Sequence, residues 1–142
     1  MSFFDFSDDV WRAASEAKDL PSRLSAKTMV HRAKFPDAVR KAGFHLLSGG
    51  GSFVPGKHDI VVGAASWSDP DLAALEDLAS SANYSTVRIS VFDIDDVSFP
   101  ALVAMLPGIR MFTATPVVLQ YRDGELTYME QGHDAVLWLR QV

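Results

Sequence analysis

The sequence predicts an α/β fold, a sandwich in which a mixed central sheet is flanked by helices, with a helical basic extension in front of it. Two observations carry this prediction. From residue 58 onward, short apolar runs alternate with helical stretches in the order βαβαββα. The last two runs, 116–122 and 125–130, flank Asp123-Gly124, a strong signal for an antiparallel hairpin. Helical connections make the earlier strands parallel and place helices on both faces of the sheet.

The elements from residue 58 onward follow from local signals. Residues 59–65 form a short apolar run of the kind that suits a buried central strand. Asp69 is expected to be the N-cap of the next helix and Pro70 its first helical residue, N1, where a missing N–H costs nothing. Alternating apolar residues predict a strand over 87–91. The remaining signals are two helix starts, at Ser98-Phe99-Pro100 and Gly132-His133-Asp134, and one helix end, at Pro107-Gly108.

Residues 1–57 are predicted to form the helical basic extension and a glycine-rich connector, and residues 58–142 the α/β domain. Ser7 is expected to be the N-cap of the first helix, with Asp8 and Asp9 in the first turn, and the helix to run to about Lys18. The segments that follow are a second helix over 21–33, a short third turn or helix over 36–43, a short strand or helix end over 44–47, and a flexible surface loop, which also resembles an engineered linker, over 48–52.

The composition is that of an ordinary globular chain. Its 142 residues are 48% hydrophobic and 22% charged, which suits one domain and excludes a disordered chain. No apolar run approaches the ~20 residues that cross a bilayer, so no membrane contact is expected. The acidic start is unlike a targeting leader, and the cytoplasm is therefore the expected compartment. The absence of cysteine excludes disulfides, thiolate catalysis, iron–sulfur clusters and zinc sites built from thiolates.

The charge is distributed unevenly along the chain. Residues 1–57 carry five lysines and four arginines against six acids, a net of +3, whereas residues 58–142 carry a net of −8. This asymmetry suits either a basic arm for an anionic partner or an arm folded on its own acidic core, and we favour the second. Nucleic acid is not an expected partner, because the arm lacks interleaved aromatic residues and the core repels phosphate. The formation of a homo-oligomer through the basic arm is left as an alternative.

Residues 58–142 resemble thioredoxin in three stretches. The first, residues 60–71, is similar to the first core strand of that family and its Trp-Cys-Gly-Pro-Cys turn into a helix. Trp67 and Pro70 match this motif, while Ser68 and Asp71 stand at the two cysteine positions. The resemblance implies a thioredoxin-like sandwich.

The other two stretches surround a proline. Gly108-Ile109-Arg110 followed by Thr115-Pro116 resembles the loop of the family that leads into its cis-proline, with three additional residues between the two parts. Residues 116–125 resemble the strand and hairpin that come after that proline, with matching spacing up to Gly124. All three stretches occur in the order of the family and on the matching string of elements.

The chemistry that the resemblance implies is thiol–disulfide exchange, and the residues for it are missing. Exchange requires an attacking thiolate and a resolving thiol. An alcohol such as Ser68 stays protonated at neutral pH, and Asp71 is an acceptor rather than a leaving group. The buried acid that the family places beneath its reactive turn would fall at Val62. We therefore expect a redox-inactive domain with no catalytic residue, cofactor or metal.

With the redox chemistry excluded, the resemblance still implies the peptide-binding surface of the family. Thioredoxins hold extended peptides beside the tryptophan and the cis-proline, through the backbone of the residue before the proline. By resemblance, Trp67, Ser68, Thr115 and Pro116 form this partner-binding surface here, with Pro116 in the cis form. A purely structural role for Trp67 and Pro116 stays open. The expected function is that of a non-catalytic adaptor or chaperone-like protein that binds a protein or an extended peptide, for which cysteine-free thioredoxin-like proteins of hydrogenase maturation are a precedent by fold alone.

Two other functions stay open and two others are disfavoured. Ser68 resembles the serine of glutathione transferases, and the domain also suits a structural or oligomerising role. The run Asp93-x-Asp95 resembles the signature of a phosphatase family, but no lysine follows Lys57 to clamp a phosphate. Metal binding is disfavoured because the four histidines lie far apart, and solvated or capping roles are expected for His31, His45, His58 and His133.

Overall fold

The computed structural model describes residues 2–81 and 86–141. The helices of this part of the chain are α1 (Ser7–Ser15), α2 (Leu20–Lys41), α3 (Asp69–Ala79), α4 (Phe99–Met105) and α5 (Gly132–Gln141). Its strands are β1 (His45–Leu46), β2 (His58–Ala64), β3 (Arg88–Asp93), β4 (Val117–Arg122) and β5 (Glu125–Gln131). From residue 58 onward the described elements follow the predicted order βαβαββα.

The five strands form one mixed sheet in the order β1-β3-β2-β4-β5. Strand β3 runs parallel to both β1 and β2, whereas β4 runs antiparallel to β2 and β5 runs antiparallel to β4. Val62, in the middle of β2, lies opposite Val91 on one side and Val118 on the other. The predicted hairpin at Asp123-Gly124 joins β4 to β5, and both turn residues have a positive φ. The mixed sheet is therefore confirmed.

Helices cover both faces of the sheet because the central strand is apolar on both sides. Ile60 and Val62 point into one core cluster, which they share with residues of α2, α3 and α5. Val61, between them, points into a second cluster that includes Leu102 and Leu106 of the α4 segment. All of these side chains are almost completely buried. The predicted α/β sandwich with helices on both faces is confirmed.

The extension contains one long helix where two shorter ones were predicted. Helix α2 continues through Pro36, which was expected to open a separate turn. A proline inside a helix costs about 3 kcal/mol, because it removes a backbone donor and crowds the preceding turn. Phe35 and Val39 on either side of it are completely buried, and each contributes about 1.5–3 kcal/mol by burial. Packing against the core therefore offsets the penalty that local sequence rules assign to Pro36.

The segment 44–47, predicted to be either a strand or a helix end, contributes the edge strand β1. His45 pairs with Ser90 and Leu46 with Val91 in a parallel register. The predicted boundary between an extension ending at residue 57 and a domain beginning at residue 58 stays a prediction. Strand β1 lies before that boundary and belongs to the same sheet.

The basic arm lies against the acidic core of its own chain. Lys27 Nζ is 3.0 Å from Asp69 Oδ2, and Arg32 is 3.3 Å from a carboxylate oxygen of Asp96. These two pairs place the middle of α2 across the loops at the carboxyl ends of β2 and β3. In the part of the chain that the structure describes, none of the helices has the length and apolarity needed to cross a membrane.

Candidate functional site

A tight turn joins the end of β2 to α3. The backbone N–H of Ser68 donates to the carbonyl of Ala65 at 3.0 Å, and the carbonyl of Ser68 accepts from Leu72 N at 3.0 Å. Ser68 has an extended backbone and is the N-cap of α3, so the prediction that Asp69 caps this helix was wrong by one residue. Pro70 is consequently the second residue of the helix, one position later than predicted. Asp69 is not the cap because its backbone is already helical, whereas the N-cap residue has a non-helical backbone.

Trp67 projects from this turn and is held in place at the surface. Its side chain is 46% exposed, which is unusual for so large an apolar group. The indole Nε1–H donates to Asp95 Oδ2 at 3.1 Å, in the loop that follows β3. One edge of the ring is thereby fixed, and much of the ring remains open to solvent.

Thr115 and Pro116 lie beside this turn, just before β4. The peptide bond between them is cis, as the resemblance implied. Thr115 is half-buried and Pro116 is buried. The amides of residues 113 and 114 are satisfied, because both donate to Gln131 Oε1. The backbone N–H and C=O of Thr115, in contrast, form no hydrogen bond with any residue in 2–81 or 86–141.

Asp71 connects the four predicted site residues. Only 1% of its surface is exposed, and its Oδ2 accepts a hydrogen bond of 2.8 Å from Ala65 N. Burial raises the pKa of the Asp71 carboxyl, and hydrogen bonds with Ala65, Thr115 and Ser68 lower it in part. The side chains of Ser68 and Thr115 thus both lie near enough to this buried carboxyl group to influence its pKa, and Trp67 and Pro116 are their chain neighbours.

A second buried acid lies at the carboxyl end of β3. Asp93 is 3% exposed and accepts a hydrogen bond of 3.1 Å from Asp95 N. Burial raises the pKa of Asp93. The nearby Ser66 hydroxyl is buried and has no hydrogen-bond partner of ordinary geometry among the described residues. Asp93 thus stabilises the loop that carries Asp95, which is a structural use of the motif that resembled a phosphatase signature.

The turn is supported from behind by His31 of α2. His31 is 4% exposed, and its Nδ1 lies 2.9 Å from the carbonyl oxygen of Ser66. Its ring also meets the ring of Phe6 edge-on, with the ring centres 5.2 Å apart. The expectation of a solvated or capping role for His31 was therefore wrong. Within residues 2–81 and 86–141 no group of three His, Cys, Asp or Glu side chains is placed to hold a metal ion.

Sequence reasoning missed the burial of Asp71, Asp93 and His31. One signal was present for Asp71, because Ser68-x-x-Asp71 has the spacing of a capping box, in which an acid at the third helical position points back into the preceding turn. Its oxygen reaches Ala65 rather than the cap residue itself. No local pattern marks His31, because its partner lies 35 residues away.

The arrangement suits binding rather than thiol chemistry. The chain has no cysteine, and Val62, where the resemblance placed a proton-handling acid, is a completely buried apolar residue. The turn exposes the aromatic face of Trp67, and beside it lies the backbone of Thr115, which has no hydrogen-bond partner within residues 2–81 and 86–141. Whether Trp67–Asp71 replaces the cysteine motif of thioredoxins residue by residue stays a prediction.

The strand order and the helices on both faces define a thioredoxin-like α/β protein, and this one has no cysteine. No protein-family model matches the chain, and no curated protein matches it. Among solved structures, the thioredoxin Mala s 13 of Malassezia sympodialis is 18% identical, with 68% of this chain and 90% of that chain covered and a TM-score of 0.46. ERdj5 is 17% identical over 88% of this chain, with a TM-score of 0.48. This chain spans 15% of the ERdj5 chain. At these identities the similarity concerns the fold alone.

Proposed function

We propose that this protein is a redox-inactive binding or adaptor protein, chaperone-like in action, that holds an extended peptide of a partner protein. The peptide would lie along Trp67, Ser68, Thr115 and Pro116. The observation that carries the proposal is the unpaired backbone of Thr115 in the loop beside the turn that bears the exposed Trp67. No cofactor or metal is part of this proposal.

The physics of the proposed site is strand addition. A backbone N–H and C=O without partners can pair with an extended peptide, and each such hydrogen bond contributes about 0.5–1.5 kcal/mol net. An exposed tryptophan adds a rigid apolar anchor of the kind that dominates many interfaces. The hydrogen bond from Trp67 to Asp95 holds the ring before the partner arrives, which reduces the entropy lost on binding.

The sharpest test uses the full chain and a library of extended peptides. Peptides selected on the native protein are measured by fluorescence anisotropy against a double variant, Trp67→Ala with Thr115→Arg. We expect this variant to bind at least about tenfold more weakly, since a hot-spot residue contributes about 2 kcal/mol. Trp11→Ala is the matched control, because Trp11 is 76% exposed and lies on α1, outside the proposed groove. It should leave the affinity unchanged.

The role of the backbone is tested on the peptide. Methylating one peptide nitrogen at a time removes one donor without changing the side chains, and the position that pairs with Thr115 should lose about tenfold in affinity. Circular dichroism and thermal unfolding establish that the double variant is folded. The proposal is overturned by selected peptides that bind the double variant as tightly as the native protein, or by a library that yields no binder.

Two alternatives remain predictions. In a glutathione-dependent enzyme, Ser68 would donate a hydrogen bond to the glutathione sulfur, although its hydroxyl already interacts with Asp71. Calorimetric titration with glutathione separates this role from peptide binding, because only the enzyme should give heat at millimolar ligand. An oligomeric role through the basic arm would appear in sedimentation runs at low and high salt.

A further inference from the structure

A separate cavity is formed by the N-terminal part of the chain together with α3. It is a cavity of about 560 Å³ between the N-terminal segment with α1, helix α2 and helix α3. This volume lies within the range of pockets that hold small molecules, about 300–1,000 Å³. Its walls are mainly apolar, and the side chains that form them include Phe4, Phe6, Val10, Trp11, Leu72 and Ala73.

One buried polar side chain on the cavity wall has an unused hydrogen-bonding atom. His31 lines the cavity and is 4% exposed. Its Nδ1 must donate to the carbonyl of Ser66, since a carbonyl oxygen only accepts. In the neutral form of the ring Nε2 is then an acceptor, and no residue in 2–81 or 86–141 donates to that atom. A ligand that donates a hydrogen bond would satisfy the acceptor at His31 Nε2.

The charged side chains on the wall add up to a negative surface. Lys27 and Asp69 form an ion pair, so their charges largely cancel. Among the described residues, the donors to Glu76 Oε1 are neutral: the N–H groups of Phe3 at 2.8 Å and Phe4 at 3.1 Å and the Ser2 hydroxyl.

Asp5 is the other acid without a cation on this wall. Its Oδ1 accepts from the backbone N–H and the hydroxyl of Ser7. Within the described part of the chain, neither Asp5 nor Glu76 forms an ion pair with a lysine or an arginine. Two carboxylates that have no lysine or arginine partner within residues 2–81 and 86–141 therefore border a mainly apolar cavity.

We propose that this cavity binds a small molecule with a flat apolar body and one protonated amine. The body would lie between the aromatic side chains of the N-terminal segment and the outer face of α3. The ammonium group would donate to His31 Nε2 and would be attracted by the carboxylates of Asp5 and Glu76. Trp67, Ser68, Thr115 and Pro116 do not line the cavity, so this site is independent of the proposed peptide groove.

Three matched probes test the proposed chemistry on the full chain. They are 1-naphthylmethylamine, 1-naphthalenemethanol and 1-naphthoic acid, which share one apolar body and differ in charge. Backbone amide shifts are followed by nuclear magnetic resonance at pH 7. We expect the amine to bind with a Kd near or below ~1 mM and to shift the amides around Leu72, Ala73 and His31. The alcohol should bind about threefold more weakly and the acid more weakly still.

Two variants locate the site, and one is a control. Ala73→Phe fills the cavity from α3 and should abolish the amine-induced shifts. Ala104→Phe makes the same change on the exposed side of α4 and should leave amine binding intact. Glu76→Gln keeps an acceptor for the N-terminal segment but removes one of the two carboxylate charges, so it should reduce the preference for the amine over the alcohol and leave alcohol binding unchanged.

Circular dichroism shows whether each variant is folded. The amide shifts of the native protein also locate the binding site without any variant. Shifts confined to residues outside the cavity, or equal affinity of the amine for native protein and a folded Ala73→Phe variant, would overturn the site. Equal affinity of the native protein for the amine, the alcohol and the acid would overturn the proposed ligand class.

Discussion

The carboxylate of Asp71 accepts a hydrogen bond of 2.8 Å from the backbone N–H of Ala65, six residues earlier in the chain. This bond ties the first turn of α3 to the end of β2 and closes the turn that carries Trp67. Because the side chains of Thr115 and Ser68 also help to lower the pKa of this carboxyl group, both sides of the candidate site come close to Asp71. An acid therefore lies at the centre of the site, at a position where the resemblance to thioredoxin implies a thiol.

We expect this acid to make the protein less stable as the pH rises. Burial raises the pKa of Asp71 in the folded state above its ordinary value of 3.8. Below that value the carboxyl is protonated in both states and has no effect on stability. As the pH rises, the unfolded state loses its proton first, so the free energy of unfolding falls until the pH passes the folded-state pKa.

Asp71→Asn keeps an acceptor for Ala65 and cannot ionise. The variant should be more stable than the native protein at pH 7, and this difference should shrink as the pH falls towards 3.8. Urea denaturation between pH 3.5 and pH 7 measures it. Asp8→Asn, on the exposed first turn of α1, is the control and should change the curve little. A carboxyl titration by nuclear magnetic resonance with a midpoint for Asp71 at or below 3.8 would contradict this account.

Gly63 in β2 has no room for a side chain. A Cβ built there would lie 2.3 Å from Phe92 Cζ and 2.6 Å from Val117 Cγ1, both in buried side chains. Gly63→Ala should therefore lower the free energy of unfolding by about 1–3 kcal/mol, the usual cost of overpacking a core. Gly56→Ala should be nearly neutral, because a Cβ at that position makes only an ordinary contact of 3.6 Å with Asp59. Urea denaturation compares the two variants, and equal stabilities would refute the close contact.

The hydroxyl of Tyr121 holds the end of the α4 segment. Tyr121 is completely buried, and its hydroxyl donates to the carbonyl of Pro107 at 2.7 Å. Tyr121→Phe removes this bond and should cost about 1 kcal/mol in the free energy of unfolding. Tyr128→Phe is the matched control, because the Tyr128 ring stacks on Trp138 and no hydrogen bond of its hydroxyl occurs within residues 2–81 and 86–141. If Tyr128→Phe lowers the free energy of unfolding as much as Tyr121→Phe does, the loss does not come from the hydrogen bond to Pro107.

Local patterns predicted the core of this fold well. Short stretches of sequence predicted three features that the structure confirms: the apolar strand β2, the Asp123-Gly124 hairpin and the alternation of strands and helices. The burial of Val62 also followed from such a run. These features were predictable because each depends on residues that are close together in the chain.

The surroundings of the site depend on distant residues and could not be predicted in this way. His31 meets Ser66 across 35 positions of the chain, and only the docking of α2 brings them together. Pro36 indicates a helix break by its local chemistry, but burial of Phe35 and Val39 keeps α2 continuous. The charges alone did suggest that the basic arm lies on the acidic core, because complementary net charge does not require knowledge of the fold.

Apolar packing, rather than these charges, should account for most of the energy that holds the arm. Phe35 is completely buried and its ring centre lies 6.2 Å from that of Phe4, so Phe35→Ala should cost about 3–5 kcal/mol. The pair of Lys27 with Asp69 is partly exposed, so Lys27→Ala should cost less than about 1 kcal/mol.

Urea denaturation at low and high salt distinguishes the two contributions. The native protein should lose little stability at high salt, because screening weakens only the exposed pairs. The small effect of Lys27→Ala should disappear under the same conditions, whereas the loss in Phe35→Ala should persist. A large loss of stability of the native protein at high salt, with Phe35→Ala costing no more than Lys27→Ala, would show instead that charge holds the arm on the core.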